Sequence, residues 1–144
     1  MNHRLQRNKR DDMKFFNKKV TIGGIKFDSK KEGERWLVLL DMQKKGVISD
    51  LQRQVEWEII PKLTYMKTVQ LKTKTKEVER VDELPAHYTC DFVYRREGKI
   101  VVEEVKSKAT AKVRDYPLRR KLIKWKLRKL SKQEGIEYVF NEIK

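Results

Sequence analysis

CDFVYRREGKIVVEEVKSK, residues 90–108, reads as two β-strands joined by a tight turn at Glu97-Gly98. Glycine accepts the positive φ that two-residue hairpin turns require, and apolar and β-branched residues flank the turn on both sides. Each strand nevertheless carries a carboxylate where a buried strand would normally have Val or Ile. The stretch therefore predicts a hairpin that brings two like charges together.

The register of this hairpin decides which acidic residues meet. With a two-residue turn, Arg96 pairs with Lys99. Asp91 then lies opposite Glu104, whereas a three-residue loop with a bulge would place Glu103 opposite Asp91. Opposed β-carbons are about 4.5 to 5.5 Å apart, so like charges in that relation destabilise the pair unless a positive group lies between them. A divalent cation fits such a gap.

Alternation along the two strands sorts the side chains by face. Side chains two positions apart share a face, so Lys106 lies beside Glu104 and on the same side as Asp91. The other face carries residues suited to a core, namely Phe92, Tyr94, Val101 and Val105. The hairpin thus offers two carboxylates and an amine on one surface.

Upstream, residues 30–45 are predicted to form a helix that adds a third carboxylate. Ser29 followed three residues later by Glu32 is a capping box, and Gly46 supplies a left-handed stop. The inward stripe of this helix is predicted to contain Trp36, Leu37, Leu39, Leu40 and Gln43. Glu32 lies on that stripe and so points toward the core, although the capping box alone also explains it. Glu34 is the alternative helical carboxylate.

The remaining segments predict how the chain is organised. Residues 1–17 are basic and without sustained period, which indicates a flexible basic arm, and 18–144 is long enough for a single domain. Residues 64–86 are rich in Lys, Thr and Val and predict a basic β-excursion. This excursion is interpreted either as an arm that grips a duplex or as an ordinary solvated hairpin.

The order of elements predicts the fold class. Asp115 and Pro117 mark the start of a second helix and Gly135 its end, and a last strand follows over 136–143. The resulting order of helix, several strands, helix and strand predicts an α/β fold, in which helices flank a mixed central β-sheet.

Charge points to a polyanionic partner. The chain has 36 Lys and Arg against 21 Asp and Glu, a net charge of +15, which favours salt-sensitive binding of nucleic acid. No long apolar run or interfacial helix supports a membrane. The cations expected to contact phosphates cluster in and before the second helix: Lys108, Lys112, Arg114, Arg120, Lys121, Lys124 and Arg128. Such contacts position a backbone and carry little base specificity.

Several site classes are excluded by composition. The single Cys90 leaves neither an internal disulfide nor a cysteine-based zinc site, and it is expected to be a small buried hydrophobe. His3 and His87 are too few and too far apart for a histidine-centred nuclease motif. The N-terminus does not resemble a signal peptide, so a cytoplasmic location is expected.

The spacing of Asp91, twelve residues, then Glu104-Val105-Lys106, with a helical Glu upstream, resembles the PD-(D/E)XK nuclease superfamily. The segments GIKFDSKKEGERW, ISDLQRQVEWEIIPK and YTCDFVYRREGKIVVEEVKS, with the basic helix after them, resemble a group of small phage proteins. That group is related to Holliday-junction resolvases and transposon end-cleaving nucleases. The resemblance covers residues 18–143 and departs at Cys90, where the family has a Pro that contributes no chemistry.

The resemblance implies a restriction-endonuclease-like fold and a Mg²⁺-dependent phosphodiesterase, with Mn²⁺ expected to substitute. Asp91 and Glu104 would be metal ligands together with the backbone carbonyl of Val105. Glu32 would complete the acidic cluster, directly or through a metal-bound water. Lys106 would orient or help to deprotonate the attacking water.

The resemblance also carries expectations about supporting residues and partners. Gln54 falls near a position where relatives often carry Gln and would support the ligands from behind. The expected substrate is DNA, with branched duplexes such as Holliday junctions favoured, and the two coordinated cuts of junction resolution imply a homodimer in the host cytoplasm. The alternative is a non-catalytic basic nucleic-acid-binding protein on a nuclease-like fold. A third interpretation, a nuclease fold that has lost activity, is disfavoured because Asp91, Glu104 and Lys106 are all present.

Overall fold

The computed structural model describes residues 18–107, 112 and 115–144. Within them the chain forms eight strands and two α-helices, an order that confirms the mixed α/β class. In chain order these are β1 (Val20–Ile22), β2 (Ile25–Phe27), α1 (Lys30–Lys44), β3 (Ser49–Ile60), β4 (Leu63–Gln70), β5 (Thr75–Glu83), β6 (Ala86–Arg96), β7 (Lys99–Val105), α2 (Tyr116–Glu134) and β8 (Tyr138–Ile143).

The central sheet has the strand order β3-β6-β7-β8. Its first three strands are antiparallel neighbours, whereas β8 runs parallel to β7 because α2 carries the chain back across the sheet. Leu39 of α1 packs on one face of this sheet with Phe92. Ile123 and Leu127 of α2 pack on the other face. Two apolar cores therefore enclose the sheet between the helices, as the sequence predicted.

The β6–β7 hairpin has the two-residue turn. Arg96 pairs with Lys99, and the regular ladder ends at Phe92 paired with Glu103. Both turn residues have positive φ, 50° at Glu97 and 75° at Gly98, as a type I′ turn requires. The three-residue alternative, which would have set Glu103 opposite Asp91, is wrong. Continuing the observed register by one residue sets Asp91 against Glu104.

Helix α1 begins where the capping signal placed it, but it is rotated relative to the predicted stripe. The Ser29 side chain accepts a hydrogen bond from the Glu32 N–H at 3.1 Å. Leu39 is fully buried, whereas Leu37 and Leu40 are 49% and 38% exposed. The rotation arises because Arg35 is drawn inward to an acidic partner in the sheet. The predicted inward position of Leu37 and Leu40 is therefore wrong.

Between the end of β3 and the start of β6, the chain forms a separate two-stranded sheet from β4 and β5. This antiparallel hairpin occupies the predicted β-excursion, and most of its residues are exposed. The sequence pattern predicts a strand only from about Val55 to Ile60, ended by Pro61, whereas β3 begins at Ser49. Its alternation is broken at Asp50 and Gln54, which have positive φ of 53° and 50°, and this break hid the strand.

Two further observations bear on the sequence predictions. None of the helices in the described part of the chain is long and apolar enough to cross a membrane. The predicted basic arm, residues 1–17, and the predicted phosphate contacts Lys108 and Arg114 lie outside the described residues.

Candidate active site

A cavity of about 170 Å³ opens where the unpaired end of the β6–β7 hairpin meets the first turn of α1. Four candidate side chains from three separate segments reach it: Glu32, Asp91, Glu104 and Lys106. The complete lining consists of Asp28, Ser29, Lys31, Glu32, Asp91, Glu104, Val105, Lys106 and Ser107. The fold therefore brings the predicted acidic cluster and its lysine to one opening.

Asp91 and Glu104 end the hairpin in an unusual way. Beyond the last ladder pair, the N–H of Val105 donates to Oδ2 of Asp91 at 2.8 Å. Glu104 is 6% exposed, and its Oε1 lies 3.3 Å from Nζ of Lys106. Oε2 of Glu104 is buried without a hydrogen-bond partner among the described residues. One carboxylate oxygen is thus left in need of a donor or a cation.

Burial raises the pKa of both carboxyl groups, and a neighbouring carboxylate adds to each shift, Asp28 for Asp91 and Asp91 for Glu104. Burial raises the pKa of Asp91, although the Val105 N–H and the charge of Lys106 oppose the shift. Burial also raises the pKa of Glu104, and the nearby charge of Asp91 raises it further. Lys106 is one cation beside the buried Glu104 and the partly buried Asp91, so the two carboxylates still lack positive charge.

Glu32 supplies the third carboxylate. Its backbone N–H serves the helix cap, whereas its carboxylate Oε1 accepts a hydrogen bond from Nε2 of Gln54 at 3.2 Å. The same amide nitrogen lies 3.4 Å from Oδ1 of Asp91. Burial raises the pKa of Glu32 to about 7, and the charges of Asp91 and Asp28 add to the shift. The helix cap and a place in the cavity are therefore compatible for this residue.

Gln54 links two of the acidic residues because of the irregularity in β3. Its positive φ of 50° turns the strand locally, and its amide then donates to both Glu32 and Asp91. The amide fixes the orientation of the two carboxylates without adding charge. Gln54 thus lies where the sequence expected a supporting residue.

Lys106 directly follows β7 and is held on two sides. Its Nζ contacts Glu104 and lies 5.0 Å from the centroid of the Tyr116 ring. The Tyr116 hydroxyl donates to Oε2 of Glu142 at 2.7 Å, which anchors the ring at the start of α2. The sequence did not identify Tyr116 or Glu142, since nothing in either local pattern indicates that α2 begins and β8 ends beside the site.

A second acidic group, Glu103, lies on the opposite face of the sheet. It is fully buried and receives two hydrogen bonds from Arg35, at 2.5 and 2.9 Å. The Tyr94 hydroxyl donates to it at 2.7 Å. This network was missed by the sequence reasoning. Its one sequence signal was the Glu103-Glu104 doublet, whose members must face opposite sides of a strand.

Tyr88 and Cys90 complete the surroundings of Glu104. The Tyr88 hydroxyl is buried without a hydrogen-bond partner among the described residues, although it is close enough to lower the pKa of Glu104. Cys90 is fully buried, and burial raises the pKa of its thiol to about 11. Cys90 is therefore a buried thiol, as expected. The sequence did not identify Tyr88, because no local pattern indicates that this residue of β6 lies beside Glu104.

The predicted phosphate contacts divide into two groups. Of the predicted contacts that the structure describes, four have exposed side chains, namely Lys112, Lys121, Lys124 and Arg128. Arg120 is instead partly buried and lies 3.4 Å from Oε2 of Glu142. Glu34, the alternative helical carboxylate, is 62% exposed and lies 3.9 Å from Lys30, outside the cavity lining.

The residues at this cavity match the donor chemistry of a hard divalent cation, although they do not form a ready-made side-chain cluster. In the described ranges, no three His, Cys, Asp or Glu side chains lie close enough to hold a metal by themselves. Carboxylate and carbonyl oxygens are nevertheless the ligands that Mg²⁺ prefers, and it usually keeps several waters. The unpartnered Oε2 of Glu104 and the paired carboxylate of Asp91 fit that requirement, with the carbonyl of Val105 as a third oxygen.

The fold and cavity define a mixed α/β protein with an acidic cluster at the end of its sheet. Residues 12–138 match the model of a family described as "Protein of unknown function (DUF1064)". The match spans most of the chain, so the protein belongs to this family. No curated protein and no solved structure matches the chain.

Proposed function

We propose that the protein is a Mg²⁺-dependent endodeoxyribonuclease of the PD-(D/E)XK type with a restriction-endonuclease-like fold. Asp91, Glu104 and the Val105 carbonyl would hold the cation, with Glu32 completing the cluster and Mn²⁺ able to substitute. The observation that carries the proposal is the meeting of Glu32, Asp91, Glu104 and Lys106, from three separate segments, at one open cavity.

The chain's own residues divide the remaining tasks. When bound, the cation would supply Lewis acidity and a nucleophilic water near neutral pH. Lys106, which Glu104 and the Tyr116 ring hold at the opening, would donate hydrogen bonds to the scissile phosphate or to the attacking water. Gln54 would keep Glu32 and Asp91 in fixed orientations throughout.

Electrostatics supports a polyanionic substrate. A phosphodiester approaching three carboxylates is repelled unless cations surround it, and the chain carries a net charge of +15. Exposed cations of α2, Lys121, Lys124 and Arg128, would hold the backbone beyond the cavity. With the sequence resemblance, this supports branched duplex DNA as the substrate, cleaved by a homodimer in phage recombination or DNA processing in the host cytoplasm.

The test compares wild type with Asp91→Asn and Glu104→Gln on branched and linear duplexes in Mg²⁺, in Mn²⁺ and in EDTA. We expect metal-dependent cleavage by wild type and background levels for both variants. Glu34→Gln, an exposed carboxylate of the same helix as Glu32, is the matched control and should cleave as wild type does. Equal product from wild type and Asp91→Asn would refute the assignment.

The alternative is a non-catalytic protein that binds nucleic acid through its cations. The exposed cations of α2 favour it independently of the cavity. It requires tight, salt-sensitive binding that is unchanged by Mg²⁺ and by Glu104→Gln, with no cleavage of any duplex tested.

A further inference from the structure

The β4–β5 hairpin separates its charges by face. Cross-strand pairs share a face and alternate between the two sides of the hairpin. Tyr65 pairs with Arg80, Lys67 with Val78, and Val69 with Lys76. One face over the regular part of the hairpin therefore carries Tyr65, Lys67, Val69, Lys76, Val78 and Arg80, with three cations and no acidic residue.

The other face carries the acidic residues. Met66 pairs with Glu79, and Thr68 pairs with Glu77. The Thr68 hydroxyl lies 3.3 Å from Oε1 of Glu77, which confirms that this pair shares a side. The alternation is broken only at the root, where the register shifts between Leu63 and Thr64. We call the side with Tyr65, Lys67, Lys76 and Arg80 the cationic arm face.

The three cations of this face have no acidic partner in the described part of the chain. Among the residues that the structure describes, none of Lys67, Lys76 and Arg80 forms an ion pair. Tyr65 is 50% exposed between them. A hairpin selected only for solubility gains by placing opposite charges across from each other. Here the acids are on the far side, so the cations remain available to an external anion.

The hairpin also extends from the sheet that carries the candidate site. Asp91 is the sixth residue of β6, and the arm joins the start of that strand. At about 3.3 Å per residue the root of the arm is on the order of 16 Å from Asp91 along the strand. The eight residues of β4 extend the arm by roughly 25 Å more. Laid end to end, the two lengths reach at most about 40 Å, slightly more than one turn of duplex DNA.

We propose that the cationic arm face binds the phosphate backbone of duplex DNA on one side of the scissile phosphate. Lys67, Lys76 and Arg80 would neutralise phosphates, and the Tyr65 hydroxyl would donate to one of them. These contacts add affinity and position without reading bases. The inference deepens the proposed function and rests on its nucleic-acid partner, but it does not require catalysis.

The experiment measures binding apart from cleavage. Fluorescence anisotropy of a labelled 30-base-pair duplex, in EDTA at several KCl concentrations, compares wild type with Lys67→Gln/Lys76→Gln/Arg80→Gln. The charge-matched control is Lys44→Gln/Lys45→Gln/Lys99→Gln, because these lysines lie at the other end of the sheet, near Ser49 and Arg95. Circular dichroism and thermal unfolding establish that all three proteins fold.

For the arm variant we expect about tenfold or more weaker binding at moderate salt, and a log-log salt slope shallower by roughly 2 to 3, as three lost phosphate contacts require. The control should keep the wild-type slope. Glu77→Gln/Glu79→Gln, on the opposite arm face, should bind as tightly as wild type or more tightly.

Equal affinity and slope for the arm variant and the control would overturn the inference, and so would a wild type that binds no duplex at low salt. The two proposals fail separately. If binding depends on the arm but no metal-dependent cleavage is found, the nuclease proposal fails and the arm proposal stands. If the protein cleaves DNA but the arm variant binds as wild type does, the arm proposal fails and the nuclease proposal stands.

Discussion

Glu104 is a buried carboxylate beside a second one, Asp91, and both its burial and this neighbour oppose its ionisation in the folded protein. It is nearly inaccessible, one of its oxygens is unpartnered, and burial together with the charge of Asp91 raises its pKa. In the unfolded chain the same group ionises with its ordinary pKa. Its stabilising contribution is therefore complete at pH below the unfolded value of 4.5 and declines as pH rises through the raised folded pKa.

That sign gives the first prediction. In EDTA at pH 8, Glu104→Gln should unfold at a higher temperature than wild type, because the amide removes the ionisation that opposes folding. At pH 4 the difference in unfolding temperature between the two proteins should shrink, because the Glu104 carboxyl of wild type is then largely protonated and neutral, as the substituted amide is at every pH. Differential scanning calorimetry measures both temperatures, with the exposed Glu34→Gln as control. A lower unfolding temperature for Glu104→Gln at pH 8 would contradict the account.

Gln54 gives a second prediction. Gln54→Ala removes the donor that orients Glu32 and Asp91. Loss of such a supporting hydrogen bond typically costs about 10- to 100-fold in metal affinity or activity. Mg²⁺ titration of cleavage should show a higher metal requirement, and Mn²⁺ calorimetry should show weaker binding.

Gln52→Ala, an exposed glutamine two residues earlier in β3, is the matched control and should behave as wild type. If both variants kept wild-type metal affinity, Gln54 would be an incidental neighbour of the carboxylates.

The elements are held in place by a buried ionic contact as well as by apolar packing. Arg35 of α1 and Glu103 of β7 form a two-point ion pair. The Tyr94 hydroxyl of β6 donates a third hydrogen bond to the Glu103 carboxylate. Arg35 is one helical turn from Glu32, so the contact that fixes the helix on the sheet also fixes the distance between Glu32 and the hairpin.

The third prediction follows from this contact. Arg35→Leu leaves Glu103 buried and uncompensated, which should lower the free energy of unfolding by about 3 to 5 kcal/mol. Urea unfolding measures the loss. Arg35→Leu/Glu103→Leu should recover much of the stability, because a pair of apolar residues leaves no buried charge. Strictly additive losses would show that the two residues do not act as a pair.

These same elements show how far the sequence could predict the fold. The β6–β7 turn and the cap of α1 depend on residues within four positions of each other, so local chemistry revealed both. The rotation of α1 depends on Glu103, 68 residues from Arg35, and no local pattern carries that information. The early start of β3 was hidden because Asp50 and Gln54 interrupt its alternation.

The same division holds for the site. The two-residue period of a strand places Glu104 and Lys106 on one face, but Asp91 joins them only with a two-residue turn, and the sequence left that turn length open until the structure showed it. Tyr116 could not, because its contact with Lys106 depends on how α2 returns over the sheet. Gln54 came from resemblance alone, and its donation to two carboxylates depends on a local backbone turn that strand periodicity does not predict.

At the scale of the molecule, the proposed substrate requires two cuts placed symmetrically, whereas one chain offers one acidic cavity of this kind among its described residues. A two-fold assembly supplies the second. We expect sedimentation equilibrium at micromolar concentration to give twice the chain mass of 17.4 kDa. A monomeric mass both free and on branched DNA would contradict the two-cut proposal.

The tight turn at Glu97-Gly98 also limits how the length of the chain can change. A single residue added inside β6 or β7, between the turn and the site, would shift one strand against the other and separate Asp91 from Glu104. Two added residues, one on each side of the turn, would lengthen both strands equally. All existing pairs, from Arg96 with Lys99 to Phe92 with Glu103, would stay in place. Insertions at this exposed tip should therefore be tolerated, because the loop absorbs them, whereas a one-residue insertion inside β6 or β7 should misalign the two carboxylates.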